Sequence, residues 1–231
     1  MAEGPHPVAH RPALLFTYTS LQGPVPLRTI RGDTGTSTKE NPMPRLQIIT
    51  ASTRPGRVGS TVAAWALDEA RRHGAFDVEA IDLAEVALPF LDEPQEASTG
   101  HYVHQHTKDW SATISRGDAC LFVMPMYNGT YSAPLKNAID FLYDEWQDKP
   151  VGLFTYTAGP SGGLPAIEAL RPILTRIGFR PAERSVRVPG IGELTGPDGF
   201  RAPAGLDGEL AGVLDELAKL AADADASPAQ V

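Results

Sequence analysis

The sequence predicts an α/β fold, a doubly wound parallel sheet of five strands with helices on both faces. Two observations carry that reading. From Arg45 onward, short apolar runs rich in β-branched residues alternate strictly with segments of helical period. Two of those runs, ACLFVM at 119–124 and VGLFTY at 151–156, are apolar at all or nearly all positions, as strands buried on both faces are. The composition permits such a core, because 42% of the 231 residues are hydrophobic and 21% are charged.

The first strand is expected at Leu46 to Ala51, LQIITA, followed by the loop STRPGRVGS. A helix from Thr61 to His73 would place Val62, Trp65, Ala66 and Ala70 on one face, with Gly74 as its stop. The alternating FDVEAIDL, residues 76–83, reads as the second strand. A long connection rich in Pro, Glu and His runs from Ala84 to His106, and Thr107 to Arg116 follows as a helix. After the strand ACLFVM, a helix from Ala133 to Tyr143 carries Pro134 in its first turn and turns Leu135, Ala138, Ile139 and Leu142 inward. After VGLFTY, an amphipathic helix spans Leu164 to Ile177 and ends at Gly178. Ala182 to Val188 is the last strand, and Leu206 to Ala222 a last helix. Five strands at this spacing suit the flavodoxin-like order, whose ligands bind beyond the carboxyl ends of the strands where the order reverses.

Residues 1–44 differ from the rest. They hold seven of the 21 prolines, no helical or alternating period, and four basic against three acidic side chains. They are expected to form a disordered or loosely packed extension, and Met43 is an alternative start. The domain is then expected at 45–190, with residues 191–231 as a C-terminal loop, helix and tail. A formal charge of −8 argues against nucleic acid and anionic membrane as partners. The single Cys120 excludes a disulfide framework and any Cys-rich metal site. No apolar run is long enough to cross a bilayer and no targeting segment is read, so a cytoplasmic protein is expected.

Three loops at one end of the sheet hold the candidate chemistry. The first, Ser52 to Thr61, brings open helix amides, the hydroxyls of Ser52, Ser60 and Thr61, and the guanidinium groups of Arg54 and Arg57 to one turn, which suits an anion. It lacks the Lys of a nucleotide-triphosphate loop and the GxGxxG of a dinucleotide site. A plain Gly/Pro turn with Ser60 as helix cap is the competing account of the same residues. The second loop, Pro125-Met126-Tyr127-Asn128, offers a tyrosine against which a planar ring can lie, with the amides around Tyr127 and Asn128 toward its polar edge. The third, Thr157 to Gly163, is built of small residues that let a ligand approach the backbone.

Residues 45–188 resemble the NAD(P)H-dependent FMN reductases, a flavodoxin-like family that includes bacterial quinone and azo-dye reductases. The resemblance rests on STRPGRVGS, on Tyr102, His104, His106 and Trp110 leading into DACLFVMPMYN, on PLKNAIDFLYDEWQDKPVG, and on GPSGG. It implies FMN as cofactor and NADPH or NADH as co-substrate, with a small-molecule electron acceptor and a homodimer or tetramer. Ser52, Arg54, Gly59, Ser60, Thr61 and Val62 would hold the phosphate end. Pro125, Met126, Tyr127 and Asn128 would set the ring, with Thr157 and Gly159 at its far edge. Of the two arginines, Arg54 is expected to grip the phosphate while Arg57 turns outward. Ala51 stands where the family has glycine, and Met126 where it has glutamate, which removes a carboxylate near the ring.

The function expected is an FMN-dependent oxidoreductase passing electrons from NAD(P)H to a quinone, free flavin or azo compound. The alternative is a non-catalytic electron carrier or redox sensor of the same fold. His101, His104 and His106 lie close in sequence, but no cysteine or carboxylate set completes a metal site. Cys120, in a wholly apolar strand, is expected to be inert packing. No GxSxG elbow supports a hydrolase.

Overall fold

The computed structural model describes residues 43–226. The Pro-rich extension therefore lies outside the described residues, apart from Met43 and Pro44.

Five parallel strands form the sheet: β1 (Arg45–Thr50), β2 (Asp77–Asp82), β3 (Ala119–Pro125), β4 (Pro150–Tyr156) and β5 (Arg180–Val188). Their order is β2-β1-β3-β4-β5, so the chain steps from β1 to one side and returns for β3 on the other. That reversal opens a crevice between the ends of β1 and β3. The register aligns Thr50 with Val123 and Pro125 with Tyr156, which brings the three candidate loops to one edge. Single bonds prolong the ladder into them: the Ala51 amide donates to the Val123 carbonyl at 2.9 Å, and Met126 to Tyr156 at 3.1 Å.

The pleat of β3 sends its side chains alternately to two cores. Cys120, Phe122 and Met124 join Trp110, Leu135, Ile139, Leu170 and Leu174 on one face. Leu121 and Val123 join Val62, Ala66, Phe154, Leu210, Val213 and Leu217 on the other. The first face is covered by α3 (Gln105–Ser115), α4 (Ala133–Asp140) and α5 (Leu164–Ile177), the second by α1 (Gly59–His73) and α7 (Leu206–Ala226). Each fully buried Leu, Val or Phe contributes about 1.5–3 kcal/mol relative to exposure, so both faces contribute to stability. Cys120 has no access to solvent, and burial pushes its thiol up to about 12 against the opposing pull of Lys149. It is packing.

Three differences from the sequence reading have physical causes. Helix α1 starts two residues early, because Val58 is its N-cap in helical geometry, and no side chain caps it. Ser60 is therefore inside the helix and is not its cap. The long connection holds a one-turn helix, α2 (Leu83–Val86), which Asp82 caps by accepting from the Ala84 amide at 2.9 Å. The C-terminal helix is no appendage. α7 lies so close to β4 that a Cβ on Gly152 would stand 2.8 Å from Val213 Cγ1, so residues 206–217 belong to the domain expected to end at 190. Between β5 and α7 the chain makes the turn α6 (Ile191–Leu194) and a two-stranded ribbon, β6 (Thr195–Gly196) with β7 (Gly199–Phe200). Phe200 meets the Trp65 ring edge-on at 5.6 Å and pins that ribbon to α1.

Candidate flavin site

The loops after β1, β3 and β4 enclose a cavity of about 330 Å³, within the range of small-molecule sites. Ser52, Arg54 and Arg57 line it from the first loop. Pro125, Met126 and Tyr127 line it from the second, and Tyr156 and Thr157 from the end of β4. Six of the residues expected at a cofactor line it, Ser52, Arg54, Pro125, Met126, Tyr127 and Thr157, whereas Gly59, Ser60 and Thr61 do not. Gly56, Arg57, Val58 and Ala158 line it from within the expected loops, and Tyr156 and Ile191 from outside them. Tyr156 read as an ordinary strand residue, although its place at the last position of β4 was the available signal. Ile191 lies past β5 and had no motif to mark it.

Hydroxyl chemistry ties the loops together. Ser52, 1% exposed, holds its Oγ 2.8 Å from the Tyr127 hydroxyl, so the first and second loops share a hydrogen bond. Tyr127 stays 36% exposed and lines the cavity. The tyrosine turn closes on itself: the Tyr127 amide donates to Thr130 at 2.9 Å and the Thr130 amide returns the bond at 3.0 Å. The Tyr127 amide expected to face a ligand is thus spent. Asn128 sits exposed at the tip with a positive φ of 49°, outside the cavity lining. Met126 Sδ lies 3.9 Å from the Ser161 hydroxyl, which joins the second loop to the third.

At the other end of the cavity the early start of α1 changes which groups are open. The Thr61 and Val62 amides and the Thr61 hydroxyl all donate to the Val58 carbonyl. Val62 itself is fully buried in the core and does not line the cavity. The amides of Gly59 and Ser60 make no backbone bond among the described residues, and they carry the positive end of the helix dipole. Gly59 has to be glycine for space, since an added Cβ would collide with the Tyr156 hydroxyl. Gly159 borders the third loop, its amide 3.4 Å from Thr157 Oγ1, and does not line the cavity.

Both arginines line the cavity, one exposed and one half-buried. Arg54 is exposed at the rim. The Arg57 side chain is only 23% exposed and donates through Nη2 to Asp82 Oδ2 at 2.6 Å. Two buried polar atoms beside the cavity have no partner, Arg57 Nε and the Tyr156 hydroxyl. Burial, helped by the nearby Tyr127, raises the Tyr156 pKa, so its phenol keeps its proton. Uncompensated donors of this kind, next to open helix amides and two cations, suit an anionic oxygen ligand. An apolar stretch from Pro125 to Tyr127 adjoins them. The donor set therefore fits a phosphate joined to a flat ring.

A second recess of about 460 Å³ lies across the first loop, between α2 and α4, lined by Leu83, Leu88, Phe90, Pro134 and Ala138 among others. Among the described residues no charged side chain lines it. The histidines gather beyond it. His104 and His106 stack with centroids 5.2 Å apart, and His106 Nε2 lies 2.9 Å from Asp92 Oδ1. Among the described residues no group of three His, Cys, Asp or Glu is placed to share a metal ion.

The chain is 40% identical over 122 residues to an NAD(P)H-dependent FMN reductase of Schizosaccharomyces pombe, an alignment covering 52% of this chain and 60% of that one. An FMN-dependent NADPH-azoreductase of Staphylococcus aureus is 33% identical over 124 residues, covering 53% and 63%. The chain thus spans about 60% of the length of these relatives. A flavoenzyme NAD(P)H:(acceptor) oxidoreductase of Paracoccus denitrificans superposes with a TM-score of 0.63 at 19% identity, over 76% of this chain and 98% of its own, a likeness of fold. The sequence pattern of the NADPH-dependent FMN reductases matches residues 44–190, the stretch that builds all five strands and the three loops around the cavity, and the chain belongs to that family.

Proposed function

We propose that this protein is an FMN-dependent oxidoreductase that takes hydride from NAD(P)H and passes electrons to a small acceptor, a quinone, free flavin or azo compound. The observation that carries the reading is the cavity at the β1/β3 reversal, lined by Arg54 and Arg57 from the first loop and by Pro125, Met126 and Tyr127 from the second. FMN, when bound, supplies the two-electron redox centre, which is why no dedicated acid or base need be sought. Ser52, Arg54 and the amides of Gly59 and Ser60 hold the phosphate. Pro125, Met126 and Tyr127 support the ring, and Thr157 and the chain toward Gly159 close its far edge. Met126 keeps the ring's surroundings free of the carboxylate that a glutamate would bring.

The protein works as a homodimer in this reading. Support comes from the uncharged recess between α2 and α4 and from Phe90 beside it, 87% exposed. An apolar side chain so exposed at the mouth of an uncharged groove suits coverage by a second copy. A reducing cytoplasm suits a chain whose single cysteine is buried in β3.

The test is the visible spectrum of purified protein supplied with FMN, before and after NADPH is added without oxygen. Bound flavin that bleaches within seconds and recovers its colour on adding a quinone is the expected result. A protein that stays colourless when offered FMN would overturn the reading. One that binds FMN yet is barely reduced by NADPH or NADH would be the electron carrier.

A further inference from the structure

Three methionines lie among the described residues, each in a different setting. Met43 precedes β1 and is 54% exposed, whereas Met124 has no access to solvent. Met126 stands between these extremes, half-buried, packed against the core of α4 and α5, and lining the cavity. The fold holds it in place. Its amide donates to the Tyr156 carbonyl at 3.1 Å, and the Ser161 hydroxyl donates toward its Sδ at 3.9 Å. Ser161 Oγ in turn accepts from the Gly163 amide at 3.3 Å, at the head of α5. Among the described residues Met126 is the one sulfur side chain that lines the cavity, since Cys120 is sealed in β3. A glutamate in its place would offer nothing to oxidise.

Resting on the flavin reading above, we infer that Met126 is an oxidation site, converted to its sulfoxide by hydrogen peroxide formed inside the cavity, and that the product slows the enzyme. Dioxygen that takes the acceptor's place gains two electrons and two protons and becomes hydrogen peroxide. A lone pair of Met126 Sδ attacks one peroxide oxygen. The S–O bond forms as the O–O bond breaks, and the departing hydroxide takes the proton of the attached oxygen and leaves as water. The sulfur gives up the two electrons that the peroxide gains. Oxidation makes a flexible apolar side chain polar. On the Ser161 side the new oxygen falls within reach of the hydroxyl that already points at the sulfur, so a weak bond to sulfur is replaced by a full one to oxygen. The second and third loops are then tied together, and the cavity loses an apolar wall. Methionine sulfoxide reductases reverse the change. An enzyme kept supplied with NADPH but starved of acceptor thus slows itself until it is repaired.

The test follows the sulfur. FMN-loaded wild type is turned over with NADPH in air, with catalase in the solution to destroy escaping peroxide, and is then digested with trypsin. Peptide 117–136 carries Met124 and Met126, which fragmentation separates, and peptide 40–45 carries Met43. One added oxygen should appear at Met126 roughly five-fold faster than at exposed Met43, and not at Met124. Under nitrogen, with a quinone as acceptor, no methionine should change. In dilute hydrogen peroxide without NADPH or catalase the order should turn round, with Met43 leading. The wild-type rate should fall several-fold as the sulfoxide accumulates and should return on treatment with methionine sulfoxide reductase and dithiothreitol. Met126→Leu, judged against its own starting rate, should lose nothing over the same run. The inference is overturned if Met126 stays unmodified in air, if Met43 is modified first there, or if Met126 also leads in added peroxide, which would place the oxidant in bulk solution. It is overturned equally if Met126→Leu slows as fast as wild type. Should that variant fail to fold, repair decides the same point, since a rate that stays low once the thioether is restored owes nothing to Met126. Failure of the parent reading looks different, because no arm would then consume NADPH.

Discussion

Tyr156 ends β4 with a phenol that is 4% exposed as a residue and whose hydroxyl has no hydrogen-bond partner, pressed against Gly59 at the start of α1. A buried hydroxyl left unpaired costs about 1–3 kcal/mol. Tyr156→Phe should therefore leave flavin-free protein as stable as wild type or more so, read as melting temperature. A drop of several degrees would mean that the hydroxyl is bonded in solution, with Ser52 its nearest candidate. At this scale the sequence was informative about loop position and poor on side-chain direction. Ser52, Pro125 and Tyr127 could be found because residues just past a parallel strand must lie at its carboxyl edge. Whether Arg54 or Arg57 turns inward depends on Asp82, 25 residues from Arg57, which no local pattern reveals.

The segment between α2 and α3, whose one regular turn is a 3₁₀ helix at Ala97–Thr99, shows how a long connection is held. Asn137 on α4 accepts from the Leu91 amide at 3.0 Å and donates to the Pro89 carbonyl at 2.7 Å. Glu93 accepts from the amides of Val103 and His104 at 2.9 and 3.0 Å, fastening the strap to the start of α3. Burial would raise the Glu93 pKa, but the Thr107 hydroxyl beside it and those two amides outweigh burial and bring it down to about 2. A carboxyl whose folded pKa is lowered stabilises the fold above its ordinary value near 4.5, and that contribution is lost as pH falls toward 2. Glu93→Gln should lower the melting temperature at pH 7, and the gap to wild type should narrow steadily below pH 4.5. A gap that is constant with pH would assign the effect to packing alone. The helices and strands around this strap were legible from periodicity, since buried faces repeat at 3.6 or 2 residues. The strap was not, because its order comes from single side chains without a period, Glu93 within it and Asn137 on α4.

The described residues build a five-stranded sheet between two cores, with a short ribbon beside it, and the recess between α2 and α4 leaves an apolar surface open. If a second copy covers it, Phe90→Asp should shift the protein from dimer to monomer at micromolar concentration by sedimentation velocity. A wild-type monomer, or a variant that stays dimeric, would remove the recess from the interface. The two-sided sheet was predictable from ACLFVM, whose unbroken apolar run leaves neither face for water. The role of α7 was not, because its apolar period fits a helix lying on any surface, and only the tight approach at Gly152 shows which one. That approach has a consequence during synthesis. The face formed by Leu121, Val123, Phe154 and Val186 is shared by α1 and α7, and about thirty residues separate the end of β5 from the last deeply buried leucine of α7. At roughly 5–20 residues per second the ribosome leaves that face half-covered for about 2–6 s. Helix α1, which follows directly on the first loop of the cavity, rests on the same unfinished face. A nascent chain thus has the first loop of the cavity translated early, while the face beneath it is completed only when α7 emerges, so the cavity takes its final shape well after its first wall is made.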